Sequence, residues 1–164
     1  MLDKTFPIAE MVIARSVVLT LQLEQLLQEE SACLKQGSSS ERLNSIVEKK
    51  LPVITDINQF SRQLSQILAT ESLSNDQQGV HTYFERAAAA GNSIATIQAN
   101  WEETIRLAKQ CRLLNEQNGA MIDMLQRHTQ RSLNILKGKP MVANTYGKDG
   151  TAKSDPYSRE LISV

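Results

Sequence analysis

The sequence predicts an all-α protein: an antiparallel helical hairpin plus a long third helix forming an elongated coiled-coil-like bundle, with a flexible C-terminal tail. Three observations carry this. Aromatic residues make up only 4% of the 164 residues, with 7 Gly and 4 Pro, too few rings and turn formers for a β-sandwich or barrel. Apolar residues recur at alternating steps of three and four, the spacing of a helix seam and not of a strand. Gly37, Gly91 and Gly138 punctuate those stretches as helix ends. The length suits one domain, a helical bundle over 1–137 followed by a tail over 138–164.

The first helix is expected over about 7–36, starting near Thr5 and Pro7 because proline is tolerated in a first helical turn. Its seam reads Val12, Ser16, Leu19, Leu23, Leu26, Glu30 and Cys33. Ser38 and Glu41 then fit a capping box, in which hydroxyl and carboxylate each satisfy a free backbone donor. Helix two follows over about 39–69, with Leu43, Ile46, Lys50, Val53, Ile57, Phe60, Leu64 and Ile67 in its pattern. So short a turn implies an antiparallel hairpin. Pro52 removes a backbone donor inside the pattern, which predicts a kink or a break.

Thr70 to Gly79 (TESLSNDQQG) is polar and aperiodic and reads as a flexible linker. A short helix over 81–90 follows, ended by Gly91 and Asn92, which also cap the last helix over 93–137. The last helix has the most complete stop signal, with Lys137, Gly138 and Pro140 in succession. At 1.5 Å per residue it reaches about 67 Å against about 46 Å for helix two, so roughly its last 14 residues should overhang. Met124, Leu125, Leu133, Ile135 and Leu136 lie in that overhang, and an apolar helix face that its own chain does not cover is a candidate docking surface.

Composition excludes several function classes. The 18 basic and 18 acidic side chains balance, so there is no surplus of cations for general nucleic-acid binding. Cys33 and Cys111 form no CxxC pair, and neither a zinc framework nor a disulfide scaffold is indicated; both are expected as small buried hydrophobes on seams. The apolar stretch Val17 to Leu23 is short and flanked by polar residues, and no cationic leader precedes it. The expectation is therefore a cytoplasmic chain with no membrane insertion. His81 and His128 lie on different elements and are read as surface or structural residues, and no nucleotide-binding or metalloprotease motif is present. No cofactor, metal or enzymatic activity is expected, and Trp101 and Phe60 are assigned to the core.

Asn115 and Asn118 are more informative, because both stand on seam positions of the long helix. A buried amide on a seam weakens packing but fixes register and pairing. Gly119 beside them has no side chain and lets another backbone approach. Together they look like a specified contact, the alternative being an incidental polar patch that faces solvent. Tyr146-Gly147-Lys148-Asp149-Gly150 places one aromatic in a turn-forming tail.

The segment CRLLNEQNGAMIDMLQRHTQRSLNILKG (Cys111 to Gly138) followed by NTYGKDG (Asn144 to Gly150) resembles the flagellar export chaperone FlgN family. The resemblance implies a cytoplasmic type III export chaperone for the hook-associated proteins of the hook-filament junction, the FlgK and FlgL type clients. It would bind their C-terminal helices, prevent premature association and deliver them to the export gate. By the same resemblance, client contacts fall on Asn115, Asn118, Gly119, Ile122, Leu125, Thr129, Leu133 and Leu136. Docking on the cytoplasmic domain of the export gate falls on Tyr146, Gly147 and Gly150, with the export ATPase complex as a further partner. Without the resemblance, the same seams also suit a homodimer or a structural coiled-coil module with no client, its overhang covered by a second copy.

Overall fold

The computed structural model describes residues 2–37 and 39–138 and contains four α-helices, with no strand among the described residues. They are α1 (Leu2–Gln36), α2 (Ser40–Thr70), α3 (Gln77–Ala89) and α4 (Ala95–Leu136). Two compact units are distinguished, one through Ile122 and one from Asp123 onward.

Within the first unit, ion pairs give the direction of α2. Arg15 meets Asp56 at 3.0 Å and Glu30 meets Lys50 at 2.7 Å, so α2 descends as α1 rises, the expected antiparallel hairpin. The α4 contacts rise together with α1. Ser16 and Thr104 share a hydroxyl hydrogen bond of 2.8 Å, the Cys111 thiol points to the Thr20 carbonyl, and Asn118 Nδ2 donates to the Leu27 carbonyl at 2.9 Å. Thr104, Cys111 and Asn118 stand one heptad apart, so this part of α4 lays a regular seam on α1.

The hydrophobic core takes Phe6, Ala9 and Ile13 from α1, Leu64, Ile67 and Leu68 from α2, Val80, Tyr83 and Phe84 from α3, and Ile97 from α4. Phe60 and Trp101 pack partly buried against it, in the place the seam assigned them. Tyr83 is the fastener, its hydroxyl donating to Thr5 Oγ1 at 3.2 Å while Thr5 donates to Glu71 Oε1 at 2.8 Å. Burial, more than any other influence, raises the Tyr83 pKa.

Several expectations are corrected. Helix α1 begins at Leu2, with Pro7 inside it. Helix α2 is continuous through Pro52. Glu48 and Pro52 are both exposed, and a carbonyl left without its i+4 donor costs little where water reaches it. The cap of α2 is Ser39, which makes no side-chain cap bond, while Ser38 of the expected capping box lies outside the described residues.

The expected linker from Thr70 to Gly79 is a built turn. Ser72 takes φ +57°, and its N–H and that of Leu73 return to the carbonyls of Ala69 and Leu68, closing α2 in a Schellman motif. Asp76 caps α3 by accepting from the Gly79 N–H at 2.7 Å, and it also accepts from Ser74 Oγ at 2.8 Å. A Cβ at position 79 would collide with the Ser74 carbonyl, so this turn requires glycine. Helix α3 therefore starts at Gln77, earlier than 81. Asn92 bonds back to the Ala87 carbonyl at 3.2 Å and closes α3, where it was expected to cap the next helix as well.

The stretch Val17 to Leu23, read as too short and polar to cross a membrane, is part of the longer helix α1. An 18-residue window of α1 reaches mean hydropathy 1.5, apolar enough by length and composition alone, with 39% of it buried inside the protein. The helix supplies core residues, Phe6, Ala9, Val12 and Ile13.

Candidate functional site

The polar residues that the α1 and α4 seams carry resolve into one buried network. Glu30 is 5% exposed and Asn118 is 1% exposed, depths at which a charge or an amide needs partners. Glu30 accepts from Lys50 Nζ at 2.7 Å and from Asn118 Nδ2 at 2.9 Å, while the same amide donates to the Leu27 carbonyl. Asn118 Oδ1 is buried, with no donor reaching it among the described residues. One contact thus ties α1, α2 and α4 together. Asn118, expected as a client contact, is instead turned inward with its Nδ2 bonded to α1, because its seam face is the one α1 covers. Asn115 is exposed and borders a shallow opening of about 280 Å³, walled in part by Leu23, Leu27, Ile54 and Cys111. Gly119 is exposed, and a Cβ there would meet nothing within 4 Å, so no described backbone approaches it.

Cys33 and Cys111 are buried free thiols, as the seams predict. Burial pushes the Cys111 thiol up to about 11, helped by the negative charge of Glu24, so it is a poor nucleophile. His81 does have a carboxylate one turn on, which the sequence reading passed over. Its Nε2 lies 3.3 Å from Glu85, both side chains exposed. No group of three metal-ligating side chains forms among the described residues.

Past Asn118 the same helix face continues as Ile122, Leu125, Thr129, Leu133 and Leu136. All five are exposed, Leu136 at 83%. In the second unit, none of the described residues from Asp123 to Gly138 is buried. Met124 and Ile135 are also exposed there, on another side of the helix. Helix α4 ends as its stop signal predicts, with Gly138 at φ +64° and its N–H returned to the Ile135 carbonyl. The arrangement offers no reactive group. What it offers is an apolar stripe about four turns long, suited to packing another helix. Tyr146, Gly147 and Gly150 lie outside the described residues.

The Glu30–Lys50 pair was not foreseen, although both residues stood on predicted seams; a charge at a seam position on each of two paired helices is the signal that finds it. Comparison with curated proteins gives no match, and comparison with solved structures gives none either. A family model described as FlgN protein matches residues 9–154, most of the chain. With its all-helical architecture and the matching sequence blocks, the chain belongs to the FlgN family, a family of flagellar export chaperones.

Proposed function

We propose that this chaperone holds the amphipathic C-terminal helices of the hook-filament junction proteins, the FlgK and FlgL type clients, on the stripe from Ile122 to Leu136. The observation that supports the reading is the exposure of Ile122, Leu125, Leu133 and Leu136 on one face of α4, in phase with the residues that pack on α1. A client helix laid on this stripe buries its own apolar face in return. Each anchor fully removed from water contributes roughly 1.5–3 kcal/mol. The partly exposed ones give less, because part of their area is covered already. Several anchors are therefore needed to exceed the roughly 4–15 kcal/mol that association costs.

Covering the client helix keeps junction subunits from associating early in the cytoplasm. Delivery follows through the tail turn, with Tyr146 docking on the cytoplasmic domain of the export gate, Gly147 and Gly150 shaping the turn, and the export ATPase complex as a further contact. Handover is a competition between surfaces and requires no nucleotide or metal on this chain.

Titration calorimetry of a junction-protein C-terminal helix against the full chain tests the placement. Binding should survive Tyr146→Ala, while docking on the isolated gate domain is lost. Equal loss of both would move Tyr146 into the client site and overturn the division of labour.

A further inference from the structure

Helix α1 has a second apolar face, directed away from the core. Ile8, Met11, Val18 and Leu21 are 50%, 67%, 55% and 43% exposed. We propose that this face binds a second copy of the chain, with two α1 helices packed antiparallel about a two-fold axis between Ala14 and Arg15. The interface is separate from the α4 stripe and does not depend on the client reading.

Two features select that occupant. The first is spacing. Ile8 and Leu21 lie equally far from the point between Ala14 and Arg15, and so do Met11 and Val18. A two-fold axis there sets Ile8 against the partner's Leu21 and Met11 against the partner's Val18, which is the self-complementarity an isologous contact requires. The second is charge. The same line of the helix opens with Lys4 and closes with Glu29, both exposed. Antiparallel packing brings each Lys4 toward the end that carries the partner's Glu29, whereas parallel packing would put like charges together.

Arg15, the charge at the centre, is drawn aside to Asp56 at 3.0 Å, and the position facing it across the axis is the small Ala14 of the partner subunit. Lys4 and Arg15 are outnumbered by Asp3, Glu10 and Glu29 on this side of the helix, which gives an anionic lipid surface nothing to select. From Ile8 to Leu21 the helix spans about 20 Å. A strip that short falls under the roughly 1,200 Å² of a stable complex, so the dimer is weak and depends on concentration.

Sedimentation equilibrium of the full chain, from low micromolar to near millimolar, should show a shift from the 18.3 kDa monomer toward twice that mass. Met11→Glu with Val18→Glu should stay monomeric with unchanged far-UV circular dichroism, since both positions are exposed in the monomer. Ala14→Cys should give cross-linked dimers with a short bis-maleimide, and Thr129→Cys on the α4 stripe should not. A monomer at every concentration overturns the proposal. So does a dimer that persists in the double variant, cross-linking through Thr129→Cys in place of Ala14→Cys, or binding to phosphatidylcholine or phosphatidylglycerol vesicles that the double variant abolishes.

Discussion

Helix α4 carries one sequence pattern with two outcomes. From Thr104 to Asn118 α4 is buried against the rest of its unit, with Thr104 and Asn118 hydrogen-bonded to α1 and Leu107 and Cys111 packed among them. From Ile122 to Leu136 the same face turns apolar and is exposed. The buried polar residues carry the orientation: Thr104 and Asn118, hydrogen-bonded to α1, fix how α4 lies on it, and an apolar stripe without partners is available for a helix from another chain. Periodicity identifies the face that carries contacts; the presence or absence of a partner decides whether those contacts are internal.

The largest effect should come from placing charges on the exposed stripe. Leu125→Asp combined with Leu136→Asp removes two anchors of roughly 1.5–3 kcal/mol each, a loss on the order of a hundredfold or more in client affinity by calorimetry. Helicity and Tm should hardly move, because neither residue is buried. Unchanged affinity would break the contrast at its apolar end.

Lys50→Ala tests the polar end. It strands the Glu30 carboxylate at 5% exposure, and losing one partner of a buried pair costs about 3–5 kcal/mol, here toward the lower figure because Asn118 Nδ2 remains. Urea unfolding would measure it. The triple replacement Glu30→Leu, Lys50→Leu and Asn118→Leu should restore most of that stability, since no charge or amide is then left buried without a partner.

A smaller effect is expected at Cys111. Its folded-state pKa, raised from 9.0 to about 11, favours the protonated thiol, so this stabilisation is complete below pH 9 and is lost as pH rises through 11. Iodoacetamide near neutral pH should label Cys111 only as fast as the seam opens, and full labelling should follow unfolding in urea. The smallest effect belongs to Asp76, whose carboxyl is held below the ordinary aspartate value of 3.8, first by the Gly79 N–H and then by Ser74. Its contribution is present above that pH and fades as pH falls below it, so Asp76→Asn should flatten the acid limb of the Tm profile slightly.

Much of this was legible in the sequence, for a definite reason. On α4 the buried positions Thr104, Cys111 and Asn118 follow from spacing alone, whereas Asn115, placed on the same seam, is exposed; the glycine stops at Gly37, Gly91 and Gly138 all take positive φ. Asn118 was identified as a specified contact, but spacing could not say whether its partner lay within the chain. The turn before α3 was missed because its polar residues read as linker, although Asp76 followed by the small Gly79 is a capping signal. Pro52 misled because a missing backbone bond is cheap on an exposed face. The outer face of α1 was hidden for another reason: its apolar residues merge with those of the core face into one hydrophobic helix, and only the packed structure separates the two.

The central claim, that the stripe from Ile122 to Leu136 is where a client helix lies, is tested most directly by hydrogen exchange. The full chain would be compared with and without a junction-protein C-terminal helix. The account predicts slowed exchange in peptides covering 122–136 and no change in those covering 8–21. Protection that appears on α1, or none on α4 while the complex is saturated, would contradict it.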